Sequence, residues 1–121
     1  IYFKSLGEKY YYSLLNFCDG TIGNSSSGII ECPSFKKGTI NLGDRQQGRA
    51  ISKSIIQSSI DKKSIDFAIR KLYSKNFIKK LYSFNNPYAK KDIEKNIFNF
   101  IKKTKIKKNN IKKFFSLKNL S

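Results

Sequence analysis

Thr21-Ile22-Gly23-Asn24-Ser25-Ser26-Ser27-Gly28-Ile29-Ile30-Glu31 joins a short apolar run to a second one through a polar, glycine-bounded loop. Thr21-Ile22-Gly23 predicts a strand, Asn24 to Gly28 a flexible turn, and Ile29 to about Lys36 a helix. Pro33 falls near the start of that helix, where a missing N–H costs least. Strand, loop and helix in this order form the repeating unit of a parallel α/β sheet. In such sheets ligands bind at the carboxyl ends of the strands.

The flanking sequence extends the pattern. Upstream, residues 8–18 predict a helix, with Tyr11, Leu14, Leu15 and Cys18 at i, i+3, i+4 and i+7. Downstream, Thr39-Ile40-Asn41-Leu42 predicts a second strand and Ser54-Ile55-Ile56-Gln57-Ser58 a third. Between them, Gly43-Asp44-Arg45-Gln46-Gln47-Gly48-Arg49 is a polar loop. Residues 62–74 form the clearest helix, with Ile65, Ala68, Ile69, Leu72 and Tyr73 on one face. A short helix near 76–82, a loop at Asn85-Asn86-Pro87-Tyr88, and a last helix capped by Asp92 and striped by Ile93, Ile97, Phe100 and Ile101 follow. The expected class is α/β with a parallel sheet.

The chain has 121 residues, enough for one ordinary domain. Hydrophobic residues at 39% supply a modest core and argue against disorder throughout. There is no Met, not even at position 1, so an internal or C-terminal piece of a longer protein is expected. There is no His, which removes His-based acid–base catalysis and His-ligated metal from this stretch. Cys18 and Cys32 are too few for a disulfide framework and are expected as reduced thiols of a cytoplasmic protein.

A net charge of +17 invites a nucleic acid or an anionic membrane as partner. The composition argues against both. Of the 25 basic residues 22 are Lys, and Arg, the preferred residue for bidentate phosphate and base contacts, occurs only as Arg45, Arg49 and Arg70. Heavy use of Lys, Ile, Asn, Phe and Tyr is the signature of an AT-rich coding sequence. Residues 1–61 hold 7 basic and 5 acidic side chains, residues 62–121 hold 18 and 3, so the excess lies away from the serine loop. It is expected as a solvated surface, with no nucleic acid and no membrane as partner.

Three hydroxyls and a glycine at a helix start can cradle a phosphate, because that end offers unpaired N–H groups and the positive end of the dipole. Ordinary capping by a serine competes with this. A capping box would need an acid or amide three residues after the cap, but Ile30 follows Ser27 at that spacing and Gly28 follows Ser25. Glu31 therefore needs another explanation. A carboxylate there would repel a phosphate and suits a neutral sugar hydroxyl. Arg45, following a predicted strand, can reach the same crevice and pair with a diphosphate, or can pair with Asp44 at the surface.

Three blocks then stand in order: Gly23 to Glu31, Pro33-Ser34-Phe35, and Asn41-Leu42-Gly43-Asp44-Arg45-Gln46-Gln47-Gly48-Arg49. Together they resemble the hydrolysing UDP-N-acetylglucosamine 2-epimerases, bacterial enzymes of sialic and legionaminic acid synthesis with a related domain in an animal bifunctional enzyme. Asn86-Pro87-Tyr88 looks like the family's C-terminal end, so the likeness runs from about residue 5 to 101. The non-hydrolysing branch carries an Asp-Ser-Gly-Gly-type loop and lacks the Gly-Asp-Arg-Gln block. The resemblance implies a partial Rossmann-like C-terminal domain of a GT-B fold, its parallel sheet flanked by helices. Residues 1–103 would be its UDP-binding half and residues 104–121 a Lys/Asn-rich, lightly attached tail. The N-terminal domain of the same protein would form the other wall of the cleft, and an oligomer is compatible with this arrangement.

The resemblance also implies roles. Ser25 and Ser26 would bind the diphosphate, Gly28 would give backbone access, Glu31 would accept the uridine ribose hydroxyls, and Arg45 would support the phosphates or the departing UDP, with Arg49 a secondary candidate. The implied reaction is anti elimination of UDP to a glycal, then addition of water with inversion at C2. Its acids come mainly from the N-terminal domain, so no catalytic residue, metal or cofactor is expected in this segment. Two departures stand out: Ala89-Lys90-Lys91-Asp92 replaces a glycine-rich turn frequent after Asn-Pro-Tyr, and Gly38 stands where Pro is common. Two rivals stay open: a basic module for nucleic acid or anionic membrane, and a fragment of another GT-B enzyme such as a UDP-sugar glycosyltransferase.

Overall fold

The computed structural model describes residues 1–104, and its centre is a sheet of three parallel strands in the order β1 (Gly20–Gly23), β2 (Gly38–Leu42), β3 (Ile55–Ser58). The helices are α1 (Gly7–Phe17), α2 (Ser26–Ile30), α3 (Lys62–Leu72), α4 (Lys75–Leu81) and α5 (Ile93–Lys103). The expected α/β class, a parallel sheet flanked by helices, is what the chain forms. Ile1–Ala89 makes one compact unit, and a second begins at Lys90 and holds α5. Beyond Thr104, the expected Lys/Asn-rich tail lies outside the described residues.

Register explains the two faces of the sheet. Thr21 pairs with Thr39 and Thr39 with Ile55, while Ile22 pairs with Ile40 and Ile40 with Ile56. Alternate residues point to opposite sides. On the isoleucine side, Ile40 and Ile56 pack with Ala68 and Leu72 of α3 and Phe77 and Leu81 of α4. Each large side chain buried there stabilises the fold by roughly 1.5–3 kcal/mol relative to exposure. On the threonine side the contacts are polar: Thr21 and Thr39 share a hydrogen bond of 2.9 Å, and Thr39 Oγ1 donates to the Gly28 carbonyl, also at 2.9 Å. Such bonds contribute about 1 kcal/mol each. Apolar burial is not confined to the isoleucine side, since Leu15 of α1, Ile29 of α2 and Cys32 are also buried.

Several boundaries differ from expectation for identifiable reasons. The helix expected over 29–36 is instead the five-residue α2 followed by a 3-10 turn, Cys32–Phe35. Ser25 caps α2, accepting from the Ser27 N–H, so the helix starts earlier. Pro33 has no N–H for the Ile29 carbonyl and its ring crowds that turn, so the α-helix stops. Lys36 then takes a left-handed conformation (φ 56°) and turns the chain into β2. Asp61 and Ser74 cap α3 and α4 through Ser64 N–H (2.9 Å) and Phe77 N–H (3.3 Å). Asp92, expected to cap α5, does not: its backbone is left-handed (φ 56°), and a capping side chain needs extended backbone to reach the first-turn N–H groups. The faces of α5 with Ile93, Ile97, Phe100 and Ile101 are exposed among the described residues. No described helix is long and apolar enough to cross a membrane.

Parallel strands need a crossover of a dozen or so residues, usually a helix. Between β2 and β3 a turn-rich segment, residues 43–54, does this instead. Gln46, Ser52 and Ser54 are its buried residues. Gln46 Nε2 donates to the Asn24 carbonyl at 2.8 Å, which ties this segment to the loop after β1.

Candidate functional site

A cleft of about 720 Å³ opens beside β1 and the loop that follows it. Thr21, Gly23, Ser25, Ser27, Gly28 and Glu31 border it on one side and Tyr11 and Tyr12 of α1 on the other. Of the residues singled out from the sequence, Ser25, Gly28 and Glu31 come together here. Ser26, half-buried on the first turn of α2, does not border the cleft. Arg45 is exposed and does not border it either. Arg49 borders a separate hollow of about 340 Å³ beneath residues 43–51, with Asn41, Gln46 and Gln57. The buried oxygens Asn41 Oδ1 and Gln46 Oε1 have no protein partner among the described residues.

Local chemistry differs for each serine. The Ser25 oxygen accepts from the Ser27 N–H at 3.3 Å, so its own proton stays free for an outside acceptor. Ser26 Oγ makes no hydrogen bond among the described residues, so its proton is free as well. Ser27 Oγ donates to Glu31 Oε2 at 2.7 Å and is also hydrogen-bonded to the Tyr11 hydroxyl. Tyr11 further lies 3.8 Å from Cys32 Sγ, which is buried and 3.5 Å from Thr21 Oγ1. Burial pushes the Tyr11 phenol up to about 12, with the nearby Glu31 carboxylate adding to the effect. The same carboxylate pushes the Tyr12 phenol up.

Gly28 has a packing role visible in the distances. A Cβ on it would stand 2.6 Å from Thr39 Cγ2, so only glycine lets α2 lie this close on β2. Gly23 has φ 151°, which frees the chain to leave β1 for the serine loop. Asn86 Nδ2 donates to the Ile30 carbonyl (2.8 Å) and to Ser34 Oγ (2.7 Å), holding the far end of α2. The structure thus adds Tyr11, Ser27, Gln46 and Asn86 to the residues that build the site. Tyr11 was visible only as part of an apolar stripe, and nothing in the sequence marks Gln46 as buried. Among the described residues, no group of three or more His, Cys, Asp or Glu is placed to hold a metal ion.

The site is thus a serine-rich loop leaving a parallel strand, with a carboxylate one turn further on at the same cleft. Residues 1–102 match the family described as UDP-N-acetylglucosamine 2-epimerase, and the chain belongs to that family. It is 38% identical over 117 residues to polysialic acid biosynthesis protein P7 of Escherichia coli, covering 96% of this chain and 30% of that protein. It is 49% identical over 75 residues to GDP/UDP-N,N'-diacetylbacillosamine 2-epimerase (hydrolyzing) of Campylobacter jejuni, covering 62% of this chain and 19% of the relative. A UDP-N-acetylglucosamine 2-epimerase of Neisseria meningitidis is 38% identical over 74 residues, 61% of this chain and 20% of its own length. The chain therefore spans about a fifth to a third of the curated relatives it matches.

Proposed function

We propose that this chain is the UDP-binding part of a hydrolysing UDP-sugar 2-epimerase with a GT-B arrangement, and that it holds the leaving group. The observation that carries the proposal is the cleft beside β1, where Ser25 and Glu31 stand together at the carboxyl end of a parallel strand. Ser25 presents a free hydroxyl proton to the diphosphate from the cleft border, while Ser26 lies outside that border and meets only a phosphate that reaches past it. Because α2 has only five residues, its dipole adds little, and hydroxyls and backbone N–H groups do most of the binding. Glu31 accepts the ribose hydroxyls, and Gly28 keeps the backbone close to the ligand. Arg45, exposed and outside the cleft border, would act as charge partner of the phosphates by reaching over that border. It is next to Gln46, whose amide holds Asn24, so its backbone stays near the serine loop.

In the whole enzyme the reaction is loss of UDP followed by addition of water with inversion at C2. Cleavage of the C1–O bond leaves its electron pair, and one more negative charge, on the β-phosphate of UDP, and Arg45 and the serine loop are proposed to stabilise that charge. The base that removes the sugar proton comes from the other domain. Titration calorimetry with UDP tests the binding claim. Weak, saturable binding is expected, and Arg45→Ala should weaken it about tenfold, the range for a charge-assisted hydrogen bond. No heat at millimolar UDP, or binding that Arg45→Ala leaves unchanged, contradicts the assignment.

A further inference from the structure

We propose that Tyr11 is a positioning residue for Glu31, acting through Ser27, and that this relay makes the cleft prefer a nucleoside diphosphate carrying a ribose 2′-hydroxyl. The inference rests on the uridine-nucleotide reading above and adds residues that reading does not use. Ser27, in the first turn of α2, and Glu31, its C-terminal cap, lie four residues apart, so their side chains share a face. Ser27 has one proton, and it goes to Glu31 Oε2 at 2.7 Å. The remaining bond, between Tyr11 and Ser27, must then run from the phenol proton to the Ser27 oxygen. The direction of the relay is fixed: Tyr11 donates to Ser27, and Ser27 donates to Glu31.

Two consequences follow. Ser27 has no proton left for a phosphate, which separates its role from those of Ser25 and Ser26. Glu31 has one oxygen held and the other free at the cleft, oriented by a side chain from a different element. A glutamate loses rotamer freedom when it is fixed, so a pre-held carboxylate meets a sugar hydroxyl at lower entropic cost. Its charge disfavours a phosphate at the same point. Tyr11 suits the task because α1 carries it, two torsions place its ring, and its hydroxyl also lies against Cys32.

The test titrates the 121-residue chain with UDP, 2′-deoxy-UDP and inorganic pyrophosphate, then repeats this with Tyr11→Phe and Ser27→Ala. The unaltered chain should bind UDP more tightly than 2′-deoxy-UDP. Tyr11→Phe should weaken UDP about five- to tenfold, the size of one lost hydrogen bond, and leave 2′-deoxy-UDP and pyrophosphate within about twofold. Ser27→Ala should do the same, and it keeps the question open to experiment if Tyr11→Phe folds poorly. Equal weakening of all three probes, or an unchanged ratio of UDP to 2′-deoxy-UDP, overturns the positioning role while the nucleotide reading stands. An unaltered chain that binds none of the probes overturns both.

Discussion

Ser27 and Gly28 are neighbours in sequence with different duties: Ser27 donates to Glu31, and Gly28 lets α2 lie close on β2. Gly28 is held by contact: its missing Cβ would press on Thr39 at 2.6 Å. Gly28→Ala should destabilise the chain by about 1–3 kcal/mol in chemical denaturation, the usual cost of overpacking. An unchanged midpoint would show that α2 can move off β2 freely. Tyr11 gives a pH signature. Its phenol is pushed up to about 12, chiefly by burial, whereas an unfolded tyrosine ionises near 10. The stability that comes from keeping this phenol neutral is complete below about pH 10 and is lost as pH rises through about 12. Thermal melts across that window should therefore fall more steeply for the native chain than for Tyr11→Phe, and parallel curves would contradict the raised phenol of this half-buried side chain. The sequence showed Ser25 and Glu31 as special because a capping box was broken there. It could not show Tyr11 meeting Ser27, because 16 residues separate them and only the packing of α1 brings them together.

Among the elements, α3 was the most legible. Its stripe is regular, and Asp61 caps it as an N-terminal acid should. Hydrogen bonding from Ser64 holds the Asp61 carboxyl below its ordinary value. Its contribution is therefore full above about pH 4, the unfolded value, and is lost as pH falls through the lower folded one. Helical signal should drop over that acid range, and Asp61→Asn should flatten the drop; a drop of the same size in the variant would remove the cap from the account. The stretch from α2 to the 3-10 turn was less legible, because capping by Ser25 and interruption by Pro33 act on overlapping turns and hydrophobic spacing does not arbitrate between them. Residues 43–54 were the least legible. They replace a crossover helix with turns held by a buried amide, and polar composition alone reads as an exposed loop. Gln46→Leu removes the donor to the Asn24 carbonyl, and the expected cost is about 1–3 kcal/mol in denaturation. No change would mean that the two loops are not coupled.

The molecule as described divides its labour between the faces of one small sheet. Ile40, Ile56, Leu72 and Phe77 anchor one side by apolar burial, and the threonine side carries the hydrogen-bonded serine loop and its cleft. The parallel sheet was readable in outline from the order of strands, loops and helices, but the division between its faces was not. The position of Arg45 was not, because a loop's side chains are set by contacts that spacing does not encode. The chain spans about a fifth to a third of the length of the curated relatives it matches, and its cleft lies between the serine loop and α1. The most direct measurement is a ¹⁵N-amide titration of the chain with UDP at physiological salt. The account predicts saturable shifts concentrated on Gly23 to Glu31, with Tyr11 and the 43–49 loop responding. Shifts confined to the lysine-bearing faces of α3 and α4 and abolished by salt, or none at millimolar UDP, would contradict it.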